Sequence, residues 1–324
     1  MTSVTAGWAI SSCERMKIFV AGATGVLGRR LIPLLTASGH TVVGTTRTAS
    51  KLEELRSAGA EPVVLDVLHR DAVCRAVTAS RPDVVVQQAT ALAAMRNVKR
   101  FDEEFVLTNR LRTEGTQHLL AAALDAGATR FIAQSYTGWP NNHDGSRIKT
   151  EDDPLDPNPP EGLRRTLNAI RRLEQMVRDA KGITGIILRY GSFYGPGTSI
   201  ASGGYVYEML RKRSFPVVGG GAGVWSFIHI DDAAAATRLA IESGPSGIYN
   251  IVDDEPAEVS VWLPELARII GAKPPMRVPK WIARFAIGEA GVLMMTQIRG
   301  SSNARAKRVL GWKPLYATWR KGFS

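Results

Sequence analysis

The segment Gly22-Ala-Thr-Gly25-Val-Leu-Gly28 constrains this chain more than any other, because its three glycines follow a short β-rich run, Lys17–Ala21, and open a helical pattern. Each glycine has its own steric task in that context. The first permits a tight turn, the second lets backbone approach a pyrophosphate, and the third lets helix and strand pack closely, with the helix N-terminus facing the phosphate charge. Gly22, Ala23, Thr24, Gly25, Val26, Leu27 and Gly28 are therefore expected to cradle a dinucleotide.

Strand and helix patterns alternate from Met16 onward, with strands expected at Thr41 to Thr45, Pro62 to Leu65, Asp83 to Gln87, Arg130 to Gln134 and Thr184 to Arg189. Helices are expected at Gly25 to Ser38, Ser50 to Ser57, Asp71 to Ala79, Phe101 to Ala126 and Gly162 to Ala180. In the first of these Leu27, Leu31, Leu34 and Leu35 share a face, and Pro33 predicts a local kink. The alternation predicts an α/β fold: a Rossmann-type doubly wound parallel sheet with a smaller, mostly helical C-terminal substrate lobe. Residues 1–15 read as an extension outside the fold, 16–190 as the dinucleotide-binding domain, and 191–324 as a mixed segment that completes the sheet and forms the lobe. The Pro-, Asp- and Asn-rich stretch Asn141 to Glu161 reads as a loop over the active-site mouth.

Composition narrows the partners. Cys13 and Cys74 stand far apart, and the five histidines are scattered singly, so neither a disulfide framework nor a metal site is expected. There is no secretory leader pattern and no apolar run of roughly 20 residues, so the chain reads as cytoplasmic, with no membrane partner. The formal charge of +11 comes from basic residues spread along the chain, without an aromatic-interleaved tract. That distribution suits phosphate-bearing small molecules rather than nucleic acid.

The second strand ends Thr45-Thr46-Arg47 where an acid would grip the 2′-hydroxyl of NAD; Arg47 suits a 2′-phosphate, so NADP is the expected cofactor, with NAD as the alternative. Asp66 and Val67, at the end of the third strand, are placed at the adenine, although Asp66 equally suits a helix cap.

The glycine pattern is similar to that of the extended short-chain dehydrogenase/reductases, the NAD-dependent epimerase/dehydratase family. Further matches follow in order: Asn109 with Gly115-Thr116, Phe131-Ile-Ala-Gln-Ser135, Leu188-Arg-Tyr-Gly-Ser-Phe-Tyr-Gly-Pro-Gly197, Phe227-Ile-His-Ile-Asp-Asp232, Tyr249-Asn250 and Ala306-Lys-Arg-Val-Leu-Gly-Trp-Lys-Pro314. The resemblance implies that Gln88, Ala89 and Thr90 line the ribose side of the cofactor together with Asn109, that Tyr190 and Phe193 lie near the nicotinamide, and that Ser135 is the catalytic hydroxyl. It also implies a homodimer through the two long helices.

The chain departs from this family at the catalytic Tyr-x-x-x-Lys. Matching Glu174 to the acid that follows that motif puts Thr166 at the tyrosine position and Ile170 at the lysine position, and neither side chain does acid/base work. Tyr136 is the candidate replacement donor, with Arg171 or Arg172 replacing part of the lysine's charge. The leading expectation is an NAD(P)-dependent oxidoreductase transferring hydride at a carbonyl or hydroxyl carbon of a small molecule. The alternatives are a redox-neutral epimerase/dehydratase acting on a sugar nucleotide and a non-catalytic dinucleotide sensor. Arg211-Lys212-Arg213 and Arg299 would serve a diphosphate substrate, whereas the apolar run Phe285 to Met295, if it lines the pocket, would serve a less polar one.

Overall fold

The computed structural model describes residues 14–92 and 97–323, so Cys13 and most of the N-terminal extension lie outside the described residues. Seven strands build the central sheet: β1 (Lys17–Ala21), β2 (Thr41–Thr46), β3 (Glu61–Val64), β4 (Val84–Gln87), β5 (Arg130–Tyr136), β6 (Thr184–Tyr190) and β7 (Gly247–Ile251). They pair in the order β7-β6-β5-β4-β1-β2-β3, every ladder parallel. This is the doubly wound α/β sheet that the alternation predicts. Chain order reverses between β1 and β4, where Ala21 pairs with Gln87, and a crevice at such a switch point is where open α/β sheets bind ligands.

Helices cover both faces. On one side Leu31, Ile32 and Leu35 of the Gly28–Ala37 helix and Ile241 of the Ile230–Ser243 helix pack on Ile18, Val20, Val84 and Val86. On the other, Val73 and Val77, Leu119, and Leu173 and Val177 from three further helices pack on Phe19, Val85 and Phe131. Strands buried on both faces explain the continuous apolar runs in the sequence.

Local departures have physical causes. The Gly28–Ala37 helix runs unbroken through Pro33, which is exposed, so no kink is forced and the carbonyl left without a donor lies on the exposed side. Leu34 is 36% exposed and stands apart from the buried face of that helix. The long helix expected from Phe101 is divided into Phe101–Glu104, Val106–Arg110, a π-helical turn Leu111–Gly115, and Thr116–Asp125. Asn141 to Glu161 is more than a surface loop. Ile148–Lys149 pairs with Gly300–Ser301, Asn141 Nδ2 donates to the Ser301 hydroxyl at 3.1 Å, and Glu151 accepts the Asn250 amide at 2.8 Å. These bonds fasten the connector to the C-terminal segment.

That segment supplies β7 and a lobe with its own core, built on Phe227, Trp262, Leu263, Leu266 and Trp319. Within the Phe285 to Met295 run, Ala290, Val292, Leu293 and Met295 are buried while Phe285 is 76% exposed, so the C-terminal half of the run is core. Arg211, Lys212 and Arg213 are exposed, and Arg299 donates to the His143 carbonyl at 2.7 Å.

Acidic side chains hold the C-terminal tail against the lobe. Asp232 accepts from the Leu315 and Tyr316 amides at 2.7 and 2.8 Å, and Glu255 bonds Arg320 at 2.6 Å. Asp253, in the same clamp, is 1% exposed; Oδ1 accepts the Glu255 amide at 3.2 Å, Oδ2 has no partner, and burial pushes the carboxyl up to about 8. Because this folded-state value lies above the unfolded carboxylate range of about 4, the contribution of Asp253 to stability is complete below that range and is lost as the pH rises towards 8. Asp253→Asn is therefore expected to melt several degrees above the wild type at pH 9 and close to it at pH 4. Melting curves at both pH values check this, and an equal difference at both would contradict it.

Candidate cofactor and active site

The turn after β1 is shaped by steric limits. Gly22 has φ +84°, and a Cβ there would lie 2.7 Å from the Ala89 nitrogen, so only glycine admits the chain leaving β4. A Cβ on Gly28 would lie 2.3 Å from the Ala23 carbonyl oxygen, the close helix-to-strand approach expected of the third glycine. Gly25 is exposed, and its nitrogen donates to the Gly22 carbonyl at 3.0 Å. Ala23 donates to the Thr45 carbonyl at 3.1 Å, fastening the turn to β2; Ala23 and Leu27 are buried beneath it, while Thr24 and Val26 are half-buried. This turn, with a helix starting at Gly28, fits the pyrophosphate of a dinucleotide.

At the adenosine end Arg47 is exposed, one residue past β2, and the Thr24 and Thr46 hydroxyls lie 3.5 Å apart beside it. Asp66 accepts the Leu68 amide at 3.0 Å, closing a turn, while His69 holds the cap position of the next helix; the capping alternative for Asp66 is thereby set aside. Val67 is buried against Gly115, too deep to offer its side chain to a ligand.

The end of β4 carries buried acceptors without donors. Gln88 donates to the Tyr190 hydroxyl at 3.3 Å and Asn109 donates to Thr166 Oγ1 at 3.0 Å, yet Gln88 Oε1 and Asn109 Oδ1 have no partner among the described residues. A buried unsatisfied acceptor costs about 1–3 kcal/mol, so both atoms suit the hydroxyls of a bound ribose. Ala89 and Thr90 beside them are half-buried. Tyr190 differs from expectation: it is 1% exposed and its hydroxyl meets Thr237 Oγ1 at 2.7 Å, which makes it a core residue. Phe193 is half-buried, with its ring 5.3 Å from that of Tyr190.

The catalytic residues need a correction. Ser135 is 2% exposed, and its hydroxyl donates to Glu174 Oε1 at 2.7 Å, while Arg189 grips the same carboxylate at 2.8 and 2.6 Å. Its hydrogen is therefore engaged by a buried ion pair in this structure. Strand alternation turns the next residue the other way. The Tyr136 hydroxyl meets Ser192 Oγ at 3.2 Å, and burial raises its pKa, so it is a neutral phenol with no cation to activate it.

Thr166 is fully buried and donates to Asp102 at 2.6 Å, and Ile170 is 1% exposed. Around them Phe101, Phe105, Trp139, Leu163 and Leu167 form an apolar wall that Tyr136 joins. Arg171 bonds Asn168 at 3.1 Å and the Asp156 carbonyl, and Arg172 is exposed, so neither replaces the lysine. Sequence reasoning missed Arg112 and gave Trp139 no place in the site, although Trp139 stands just after β5, while Ser192 falls within the stretch Tyr190 to Tyr194 that the resemblance puts near the nicotinamide.

The family model for the NAD dependent epimerase/dehydratase family matches residues 18–252. The chain belongs to that family. It is 43% identical over 310 residues to a 3-diazoavenalumate denitrifying reductase from a Streptomyces species, covering 95% of this chain and 99% of the relative. It is 29% identical over 283 residues to a 4-hydroxy-2-methyl-3-oxo-4-farnesyl-3,4-dihydroquinoline-1-oxide ketoreductase from Stigmatella aurantiaca, covering 85% and 80% of the two chains. The UDP-glucose 4-epimerase of Thermus thermophilus, solved with NAD, shares the fold at TM-score 0.72 and 23% identity, over 95% of this chain and 96% of that one. The protein is thus an NAD(P)-dependent enzyme of the extended short-chain type, and its cofactor is a nicotinamide dinucleotide.

Ser135→Ala is expected to lower stability by about 1 kcal/mol, because Glu174 keeps Arg189, and to leave dinucleotide affinity unchanged. Glu174→Gln, which leaves Arg189 as an uncompensated buried charge, is expected to cost about 3–5 kcal/mol. Urea denaturation with a dinucleotide titration checks both, and a Ser135→Ala protein that folds normally but binds no dinucleotide would contradict the assignment.

Proposed function

We propose that the protein is an NADPH-dependent reductase that delivers hydride to a small, largely apolar aromatic molecule, and that the acceptor carbon carries a diazonium group. One observation carries the reading: an apolar wall stands where the resemblance puts the acid and its cation. When bound, the reduced cofactor supplies hydride. A diazonium carbon that gains hydride loses N2 with the electron pair of the broken carbon–nitrogen bond, so no oxyanion forms and no proton is needed. Ketone reduction, by contrast, demands a proton donor. The relative at 43% identity is named for a diazo compound and a denitrifying reduction, which supports this choice.

In this reading the residues bind and orient. The half-buried Trp225 offers aromatic surface to the substrate, backed by the buried Phe101 and Trp139, with Trp225 Nε1 anchored to the Met294 carbonyl at 2.9 Å. Gly22, Gly25 and Gly28 admit the pyrophosphate, and Arg47 with the Thr24 and Thr46 hydroxyls receives the 2′-phosphate. Tyr136 and Ser192 close the polar side.

Incubation with NADPH and an aromatic diazonium carboxylate is expected to consume NADPH and release N2 in equal amounts. NADPH loss without N2 would overturn the reading. Carbonyl reduction with Tyr136 as the donor is the second reading, favoured by its bond to Ser192. Tyr136→Phe separates the two: denitrifying turnover is expected to stay within a few fold, whereas a carbonyl reductase would fall by about 10²-fold or more. For the cofactor, Arg47→Ala removes a charged hydrogen bond of about 1.5–3 kcal/mol and is expected to weaken NADPH roughly 10- to 150-fold while leaving NADH unchanged. Equal binding of NADH and NADPH by the wild type would remove the 2′-phosphate assignment.

A further inference from the structure

Arg112 is the most unusual charge in the molecule. It is 6% exposed, its guanidinium lies 5.7 Å from the centre of the Phe105 ring, and Nη1 has no hydrogen-bond partner. Glu174 is the acid that attracts it, but both Glu174 oxygens already hold Arg189 and one also accepts from Ser135. Two buried guanidiniums therefore share one carboxylate, which leaves an excess positive charge inside the protein. Burial draws the Arg112 guanidinium down to about 10, still protonated at neutral pH. A buried cation kept in this state needs an acceptor for Nη1 that the described residues do not supply.

Its position identifies the acceptor. The helices Val106–Arg110 and Glu161–Asp179 follow parallel strands and run in the same direction, and Asn109 touches Thr166 through a 3.0 Å hydrogen bond. One turn beyond that contact lie Arg112 on the first helix and Ile170 on the second. Arg112 belongs to the π-helical turn Leu111–Gly115, and the Leu111 carbonyl is held by Gln87 Nε2 at 2.9 Å, which ties the turn to the end of β4. Single π-helical turns often mark functional positions. Gln88 follows β4 directly, Asn109 precedes Arg112 by one turn, and both present buried acceptors without donors. One free donor and two free acceptors make a set suited to a vicinal diol.

We propose that Arg112 is a cofactor-positioning residue: its free Nη1, with Gln88 Oε1 and Asn109 Oδ1, holds the ribose on the nicotinamide side of the dinucleotide. In this role Arg112 serves the ribose and not Tyr136, which has no cation beside it. The proposal rests on the dinucleotide reading of the glycine turn and is independent of the substrate.

The test compares NADPH with adenosine 2′,5′-bisphosphate, which carries only the adenosine half. Arg112→Gln is expected to raise the Kd for NADPH about tenfold or more and to leave the bisphosphate within twofold, with Arg112→Lys recovering part of the loss. Wild-type binding of both ligands, with Arg112→Gln binding both as the wild type does, would overturn the role. If the wild type bound neither ligand and no NADH either, the dinucleotide reading itself would fail. Hydrogen–deuterium exchange on the unaltered protein gives an independent answer should Arg112→Gln not fold: residues 107–117 are expected to exchange more slowly with NADPH and unchanged with the bisphosphate, and no slowing with NADPH would also overturn the role.

Discussion

Everything in this molecule is arranged around the close approach of backbone to backbone at the turn after β1. A single methyl at Gly28 would collide with the Ala23 carbonyl, and one at Gly22 with the chain leaving β4. Because no side chain intervenes, the Gly28–Ala37 helix starts directly above the sheet, and the ends of β1 and β4 open onto one crevice. The exposed Gly25, Arg47 beyond β2 and the unsatisfied acceptors of Gln88 and Asn109 take their places from that geometry.

The other organising feature is the treatment of charge at the far end of the crevice. Glu174, Arg189 and Ser135 form a satisfied buried network that fastens the Glu161–Asp179 helix to β5 and β6. One turn nearer the crevice the same helix presents Thr166 and Ile170, and aromatic side chains fill the space around them. A phenol surrounded by such a wall and bonded only to Ser192 stays neutral, because desolvation opposes its ionisation and no cation offsets the cost. The wall favours an apolar substrate and a hydride acceptor that needs no help from a strong acid.

Much of this was legible in the sequence, and the boundary between what was and was not follows the range of the interactions. Strand and helix positions depend on local periodicity and backbone sterics, so the glycine turn and the strand sequence could be read directly. Ser135 could not, because its role depends on which side of β5 it faces, and a shift of one residue in a strand reverses the face. Tyr190 likewise matched a motif while its hydroxyl was already bonded to Thr237 from another helix. Arg112 gave no periodic signal, since the π-helical turn changes its angular position and the acid that attracts it, Glu174, lies 62 residues ahead. The connector from Asn141 read only as a loop over the active-site mouth because the residues that hold it, Asn250 and Ser301, come far later in the chain.

The central claim, hydride delivery to a carbon that needs no accompanying proton, is tested most directly by paired isotope effects on a diazonium substrate. Deuterium at the transferring C4 position of NADPH should slow kcat/KM and appear in the product at the carbon that lost N2, while exchange of the solvent to D2O leaves the rate nearly unchanged. A large solvent effect with no effect of the labelled cofactor would contradict it.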